Sequence, residues 1–589
     1  MDNTFIVYDT SPAEAPDLAR IFRDPKEIII CQDVNDVTSC FNRLEDELSR
    51  GNYAAGFLSY ELGLHFQEIP FIKKSIFPLL CFGIFPSYEK IKIAELGAEQ
   101  HSFNTTNGSY SVPEKDYNND LRLIKEHIKD GNTYQVNYTF KYKFDFKGSP
   151  YSLFRTLGKK QEVPYAAFLD LEKFSILSLS PELFFYKNGD EMFVKPMKGT
   201  INRGKIAEED DLNKNNLFNS DKNRAENIMI VDLLRNDLGK VSETGSVRVD
   251  KLFDVEKYST IFQMTSTIRS HLKTGTPWEY IFKSIFPSGS VTGAPKKRTM
   301  QIIQEIEKEE RDIYTGSIGY IEPNGNALFN VAIRTLLIDK EKGKGEMGLG
   351  SGIVYDSEAD KEYSESKLKG SFLTCPDFSP EFDLIETILW ENGSYFLLDL
   401  HLERMEASVR YFSYSFDKKK ILRSLEKLST SFAPQLQYKV RLLLNKCGEL
   451  STASDIIEKA PDQPLKIAVS KKRTNIDNIF FYHKTTNRSL YDLEFNYYKE
   501  KGFFDVIFLN QKNEITEGAI TNIVIQKNGE YLTPPVSCGL LDGTYRKYLL
   551  RSKTLPAKEK VLYLEDLKNA DNIFLTNSVR KMFPAVLQI

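Results

Sequence analysis

The sequence predicts an α+β protein of several domains in two unequal halves, and three observations carry that expectation. The chain has 589 residues, 41% hydrophobic and 12% aromatic, a length that suggests roughly three to four domains with real cores. Short apolar or alternating runs of strand length are interleaved with a smaller number of amphipathic helical stretches. The stretch TCPDFSPEFD, Thr374 to Asp383, has two prolines and little pattern, and it reads as the main boundary.

Charge and composition exclude several classes. A net charge of −4 gives no electrostatic case for nucleic acid or an acidic membrane surface. The start, MDNTFIVYDTSPAEAPD, lacks the basic and apolar regions of a secretory signal. No apolar run approaches the roughly 18 residues that span a bilayer. The six cysteines are scattered without a CxxC pair, which suits a reducing cytosol and offers no zinc site. The expectation is a cytoplasmic multidomain enzyme with neither nucleic acid nor membrane as partner.

Residues 1–105 show strand-like runs at Glu27 to Cys31, Ala54 to Tyr60 and Leu79 to Phe85, with a helix near Val37 to Ser49. Tyr60 and Glu61 close the run GFLSYE and read as an edge-of-strand pair. Residues 106–373 open with a charged amphipathic helix from Pro113 to Asp130, stopped by Gly131. Strands are expected at Tyr134 to Phe146 and Ser175 to Tyr186. Glu182 stands inside the second, where a carboxylate needs a partner or a raised pKa.

The stretch KPMKGT, Lys195 to Thr200, follows an apolar strand. Pro196 fixes a backbone angle and Gly199 permits a sharp turn. Lys198 between them has the setting of an activated amine, although alone it would read as a surface lysine. NRAENIMIVDLLRNDLG, Asn223 to Gly239, is a helix apolar on most sides, which predicts burial. It still carries Glu226, Asp232, Arg235 and Asp237.

FPSGSVTGAPKKR, Phe286 to Arg298, is a glycine-rich loop opening a helix, a setting that holds anions. Arg311 to Tyr320 and Ala327 to Ile338 read as strands, the latter with Arg334 inside. GKGEMG fits GxGxxG but leads into a strand-like run, so it is not a dinucleotide site. On the helix Asp360 to Phe372, Glu362, Glu365 and Lys369 share a face, and the two carboxylates repel unless a hard cation such as Mg²⁺ lies between them.

These motifs, SLSPELFF, KPMKGT, AENIMIVDLLRNDLG, FPSGSVTGAPK, YTGSIGY, FNVAIRT and EYSES with the lysine after it, resemble the chorismate-utilising enzymes over residues 113–373. The resemblance implies a large α+β sandwich. It implies Mg²⁺ held by Glu226 and Glu365 with Glu362 nearby, and chorismate bound by Tyr314, Arg334, Lys369 and the loop positions Thr292, Gly293 and Gly352. Anthranilate synthases carry alanine where Lys198 stands. Lysine there resembles the first component of aminodeoxychorismate synthases, and it implies attack by Lys198 at ring C2 with Glu182 as general acid. Gln263 stands where many members have histidine, and a glutamine transfers no proton at neutral pH.

Residues 383–589, after a linker at 374–382, resemble the two-layer fold-type IV pyridoxal-phosphate enzymes, especially the aminodeoxychorismate lyases. The carriers are HLERM, HKTTNR, TEGAITN, DGTYR and TNS. They imply Lys484 as the lysine that binds the cofactor covalently, Glu517 as partner of the pyridine nitrogen with Thr521 and Asn522 as the support positions that follow it, and Arg404, Gly543, Thr544, Thr576 and Asn577 as phosphate contacts. Homodimerisation of this half is a further implication.

The fusion implies synthesis of 4-aminobenzoate in the folate branch. The alternative is an anthranilate, isochorismate or salicylate synthase joined to a class IV aminotransferase. A regulatory protein with decayed sites is disfavoured by the presence of Glu182, Lys198, Glu226, Glu365 and Lys484. None of the cysteines lies in a nucleophile-elbow context, so ammonia is expected from a separate glutamine amidotransferase subunit.

Overall fold

The computed structural model describes residues 4–9, 18–73, 76–96, 102–160, 163–258, 261–374, 382–457, 464–553 and 555–588. Most of the expected linker, and Cys375 within it, lies outside these residues. The chain divides into two units, one of Met1–Asn202 and Lys214–Phe378, the other of Arg203–Asn213 and Ser379–Ile589. Helices and strands are mixed in both, as the α+β expectation requires. No helix among the described residues is long and apolar enough to cross a membrane.

The first unit is built on two ten-stranded sheets among the described residues. Their facing sides share a core that includes Phe5, Phe22, Phe57, Phe85, Leu183, Ile318 and Leu328. Helices Val37–Ser49 and Asp221–Val241 pack with one sheet, and helices Glu114–Lys129 and Lys296–Ile306 with the other. Several strands are therefore covered on both faces, and they read as continuous apolar runs rather than alternating ones.

That continuity hides two strand breaks. Ser175 to Tyr186, expected as one strand, is two: Phe174–Ser180 pairs with Thr335–Asp339 in one sheet, and Leu183–Asn188 pairs with Ala327–Val331 in the other. Pro181, which lacks a ladder donor, and Glu182 make the step between them. Ala327 to Ile338 breaks in the same way, with Arg334 at φ 51° in the gap. The two steps are hydrogen-bonded to each other, Val331 N to Glu182 O at 3.0 Å and Leu179 N to Arg334 O at 3.0 Å. Paired strands thus cross together between sheets and leave Glu182 and Arg334 at the seam.

Lys195 to Thr200 is strand on both sides of Pro196 rather than a sharp turn after one strand. Strands Glu191–Lys195 and Met197–Asn202 both pair with Ile261–His271, with a register shift between Met197 and Thr200. Lys198 and Gly199, the latter at φ 92°, therefore occupy a β-bulge, a device that re-aims a side chain. Of the Arg311 to Tyr320 stretch, only Ser317 onward is strand, Ser317–Ile321. The helix expected from Asn223 runs Asp221–Val241. It buries Ile230, Val231, Leu234, Leu238 and Val241 but leaves Ile228 44% exposed, so it is covered on one face only.

The second unit holds a four-stranded and an eight-stranded sheet among the described residues. Helix Leu398–Phe412 sets Leu402, Met405 and Val409 against Ile388 and Val440 of the smaller sheet. The larger sheet contains parallel pairs, Leu465–Thr474 lying between Asp505–Asn510 and Lys581–Leu587. Arg203 grips Asp210 through two 2.6 Å hydrogen bonds and stacks 4.2 Å over Tyr411 within this unit.

Candidate functional site

In the first unit the bulge sets the Lys198 amine against the strand Lys344–Ile353. A Cβ on Gly352 would lie 2.7 Å from Lys198 Nζ and 2.4 Å from Gln135 Nε2, so only glycine leaves room for both. Gln135 was not singled out by its sequence. It is 1% exposed and its Oε1 has no hydrogen-bond partner. Nothing in the sequence marks it, since the strand it opens, Gln135–Gly148, also carries Asn137, Thr139, Lys141, Lys143 and Asp145. A Cβ on Gly293 would lie 2.0 Å from Gln135 O, which seats the glycine-rich loop directly on this strand. Thr292 is fully buried and donates to Ser288 O at 3.1 Å.

Glu182 is 4% exposed. Its Oε1 accepts from Ser290 Oγ at 2.6 Å. Burial pushes its carboxyl up to about 7, against the Ser290 hydrogen bond, the Lys198 charge and the Met197 N–H. Burial also lowers the Lys198 amine below the ordinary lysine value, opposed by Glu226, Glu365 and Glu182 and aided by Lys369. The acid is thus biased towards its protonated form and the amine towards its neutral one, the condition for a proton donor beside a nucleophile.

Glu365 pairs with Lys369 at 2.8 Å, and Lys369 also donates to Gly350 O at 3.1 Å. Burial would raise the Glu365 carboxyl, but Lys369, Lys198 and Lys222 hold it below its ordinary value. Glu362 accepts from Ser357 Oγ at 2.8 Å. Among the described residues no three histidine, cysteine, aspartate or glutamate side chains converge as a ready metal cage.

Arg334 forms no ion pair among the described residues; burial lowers its pKa, with Tyr258 opposing. A desolvated guanidinium of this kind is completed by an anion. Tyr314 is buried. Its ring lies against Gly348, and burial raises its hydroxyl pKa, with Arg311 opposing. Gln263 accepts from Thr200 Oγ1 at 2.9 Å.

In the second unit two arginines and two carboxylates act on the buried Lys484 amine. Burial, then Arg404 and Arg488, lower its amine to about 8, and Glu386 and Glu517 pull the other way. Glu517 is 5% exposed. It accepts from Tyr491 Oη at 2.9 Å, Leu541 N at 3.0 Å and Asn522 Nδ2 at 3.1 Å, and burial nonetheless raises it to about 7. Such a carboxyl is completed by a cationic partner.

Arg404 donates to Glu386 from Nε at 2.9 Å and from NH2 at 2.6 Å, and to Asp542 O at 3.3 Å. His401 Nδ1 meets the same carboxylate at 2.6 Å. Burial would raise Glu386, but Arg404 and His401 hold it near 2. Glu386, missed in the sequence, was visible as the one charge inside LIETILW.

Asp542 leads into helix Thr544–Arg551, whose N-cap is Gly543. Its first N–H groups and Arg404 make an anion site. A Cβ on Gly543 would lie 1.8 Å from Asn522 Oδ1. The Thr521 hydroxyl is spent on Asp505 at 2.6 Å and that of Thr576 on Asn522 O at 3.4 Å.

Residues 7–374 match the family model of chorismate binding enzymes, and residues 383–587 match that of class IV amino-transferases. Aminodeoxychorismate synthase component 1 of Bacillus subtilis is 40% identical over 263 residues, 44% of this chain and 56% of that protein. The Escherichia coli protein of the same name is 33% identical over 367 residues, 58% of this chain and 80% of that protein. Anthranilate synthase component I from Streptococcus pneumoniae shares the fold at a TM-score of 0.54 and 23% identity, over 62% of this chain and 92% of that one. With a family match over more than half of its length, the chain belongs to the chorismate binding enzymes, and its remaining described part is similar to the class IV amino-transferases.

Proposed function

We propose that the first unit aminates chorismate to 4-amino-4-deoxychorismate and that the second removes pyruvate from it to give 4-aminobenzoate. The observation that carries the reading is the pairing of Lys198 with Glu182, an amine biased to neutral beside a carboxyl biased to protonated. The neutral Lys198 amine adds to ring C2, the ring π electrons shift, and the C4–O bond breaks as Glu182 protonates the leaving oxygen. Ammonia then adds at C4, the shift reverses, and the Lys198 amine departs. Arg334, Tyr314 and Lys369 are the partners for substrate carboxylates, with backbone at Thr292, Gly293 and Gly352.

Glu226, Glu362 and Glu365 do not converge as a ready cage, but their carboxylates, on half-buried or exposed side chains, are the hard oxygen donors that would hold Mg²⁺. The ion would supply positive charge opposite the ring carboxylate. In the second unit Lys484, Glu517, Arg404, Asn522 and the Gly543–Thr544 helix start fit pyridoxal phosphate, with Thr521 and Thr576 in the supporting shell. That group, when bound, supplies an electron sink. Lys484 takes the proton from ring C4 and returns it to the methylene carbon of the departing enolpyruvyl group.

The test is product identity by mass spectrometry. The protein given chorismate, an ammonium salt, Mg²⁺ and pyridoxal phosphate yields 4-aminobenzoate and pyruvate. Glutamine does not replace ammonium, because its hydrolysis is assigned to a separate amidotransferase subunit. Anthranilate, salicylate or isochorismate as the main product would refute the reading.

Two outcomes follow for the first unit. Excess chelator stops chorismate consumption and leaves lyase turnover of supplied aminodeoxychorismate unchanged; full synthase activity without free Mg²⁺ would remove the carboxylate set from the site. Glu182 loses its proton near pH 7, so with free ammonia held constant the rate falls as pH rises through that value. Glu182→Gln lowers the rate about a hundredfold or more and flattens that limb. An alkaline limb that survives in the variant would assign it to another group.

A further inference from the structure

Tyr60, Glu61 and Glu309 take no part in the chemistry above, yet each presents an oxygen without a partner. Tyr60 Oη, Glu61 Oε2 and Glu309 Oε2 are screened from solvent and accept no hydrogen bond. All three side chains line one cavity of about 20 Å³, together with Glu307, Glu310 and Arg311. That volume holds one molecule the size of water. Tyr60 is 2% and Glu61 5% exposed. They are not the strand-edge pair their sequence suggests, since the strand ends at Leu58 and the chain turns into helix Leu62–Phe66.

The donors of the neighbourhood are already engaged. Arg311 N donates to Glu61 Oε1 at 2.9 Å. Its guanidinium stacks 4.4 Å from the Tyr60 ring centroid. It bonds both oxygens of Glu307, at 2.9 and 2.6 Å. Lys141 is held by Asp312 and Glu346 at 2.8 and 2.6 Å, and Lys73 donates to Glu307 O. With Glu61 deprotonated, two of the three orphan oxygens are carboxylate and accept only; the phenolic one accepts as well as donates. Lys143 already donates to the other oxygen of Glu309 at 2.5 Å. A guest of this size that suits oxygens of this kind carries several donors and positive charge on a single heavy atom.

We propose that this cavity binds ammonium and that Glu61 accepts its proton, releasing ammonia for the Lys198 site; this rests on the amination reading above. The step balances: ammonium and the Glu61 carboxylate become ammonia and the carboxylic acid, and the proton returns to solvent. Burial, with Asp312 adding, raises the Glu61 carboxyl to about 8 against the pull of the Arg311 N–H and Lys141, so the transfer is nearly balanced rather than steeply uphill. The cavity is one side chain from the substrate loops. Arg311 donates to Val291 O at 2.9 Å and Asn137 O at 2.6 Å, next in sequence to Thr292 and one residue beyond the Gln135–Val136 step.

Thermal unfolding of the full chain in NH4Cl, KCl and NaCl at equal ionic strength tests binding. Steady-state kinetics in ammonium at saturating chorismate test use. Ammonium alone raises the unfolding midpoint of the wild type by about 2 °C. Glu61→Gln and Tyr60→Phe each abolish that rise and increase the KM for ammonium about tenfold, with chorismate KM and lyase activity unchanged. An equal rise in KCl, or variants with the wild-type ammonium KM, would overturn the proposal and leave a monovalent metal or a structural water. An ammonium-specific rise that the variants lose, in a wild type that makes no aminated product, would uphold the site and sink the amination reading.

Discussion

Lys198→Ala loses formation of 4-amino-4-deoxychorismate by about a thousandfold, while the second unit still converts supplied aminodeoxychorismate at the wild-type rate. The loss is assignable to the nucleophile because the acid survives. Lys198 is one of the groups that lower the Glu182 pKa from the value burial alone would set, so its removal leaves Glu182 more firmly protonated. The substitution also opens space beside Gly352 and Gln135. Ammonia in that space reaches ring C2 directly, so residual aminated product carries its nitrogen at C2, in line with the alanine that anthranilate synthases bear at this position. Mass spectrometry and NMR of the products locate the nitrogen. Lys198→Met, which keeps the side-chain volume, shows the same loss without the redirection. Undiminished 4-amino product from either variant would remove Lys198 from the mechanism.

The helices were the most legible part of the fold. Val37–Ser49 has the bounds its periodicity predicts, because one face of the helix meets the core and the other meets water. The strands at the seam were not legible. Phe174–Ser180 and Leu183–Asn188 are covered on nearly every position, so no alternation marks where one sheet is left and the other joined. Pro181 was the physical clue, as an interruption of a ladder that only an edge or a break tolerates. Arg334 was placed inside a strand for the same reason, and its positive φ belongs to the gap.

The roles proposed for Lys198, Glu182, Lys484 and Glu517 come from resemblance, because each lies in a long local motif. Residues that matter through distant contacts were not legible in this way. Gln135 meets Lys198 only because Gly352 lacks a side chain, and Glu386 meets Arg404 and His401 only after a helix packs on its strand. The transfer of Arg203–Asn213 to the second unit leaves no mark in composition, since Arg203 and Asp210 read as ordinary surface charges.

Lys484→Ala abolishes 4-aminobenzoate formation and makes aminodeoxychorismate accumulate, because the first unit continues to turn over. The lyase rate falls about a thousandfold or more, as for loss of a covalently acting group. The purified variant loses the visible absorbance that borohydride reduces. Glu517, Arg404 and the Gly543–Thr544 helix start remain to hold the cofactor without a covalent bond. The sign of the stability change separates this role from a structural one. A lysine held near 8 is protonated at neutral pH in both folded and unfolded chains, and the folded state carries the cost. Lys484→Met keeps the aliphatic stem and removes the charge, so it stabilises the cofactor-free second unit by about 2 kcal/mol at pH 7. That gain is complete below pH 8 and declines as pH climbs from about 8 towards the ordinary lysine value, where the unfolded chain loses the same proton. Calorimetry across that range, alongside product assays, checks both parts. A variant that kept the reducible absorbance and the 4-aminobenzoate output, or one destabilised equally at every pH, would show Lys484 to be a packing residue rather than the catalytic amine.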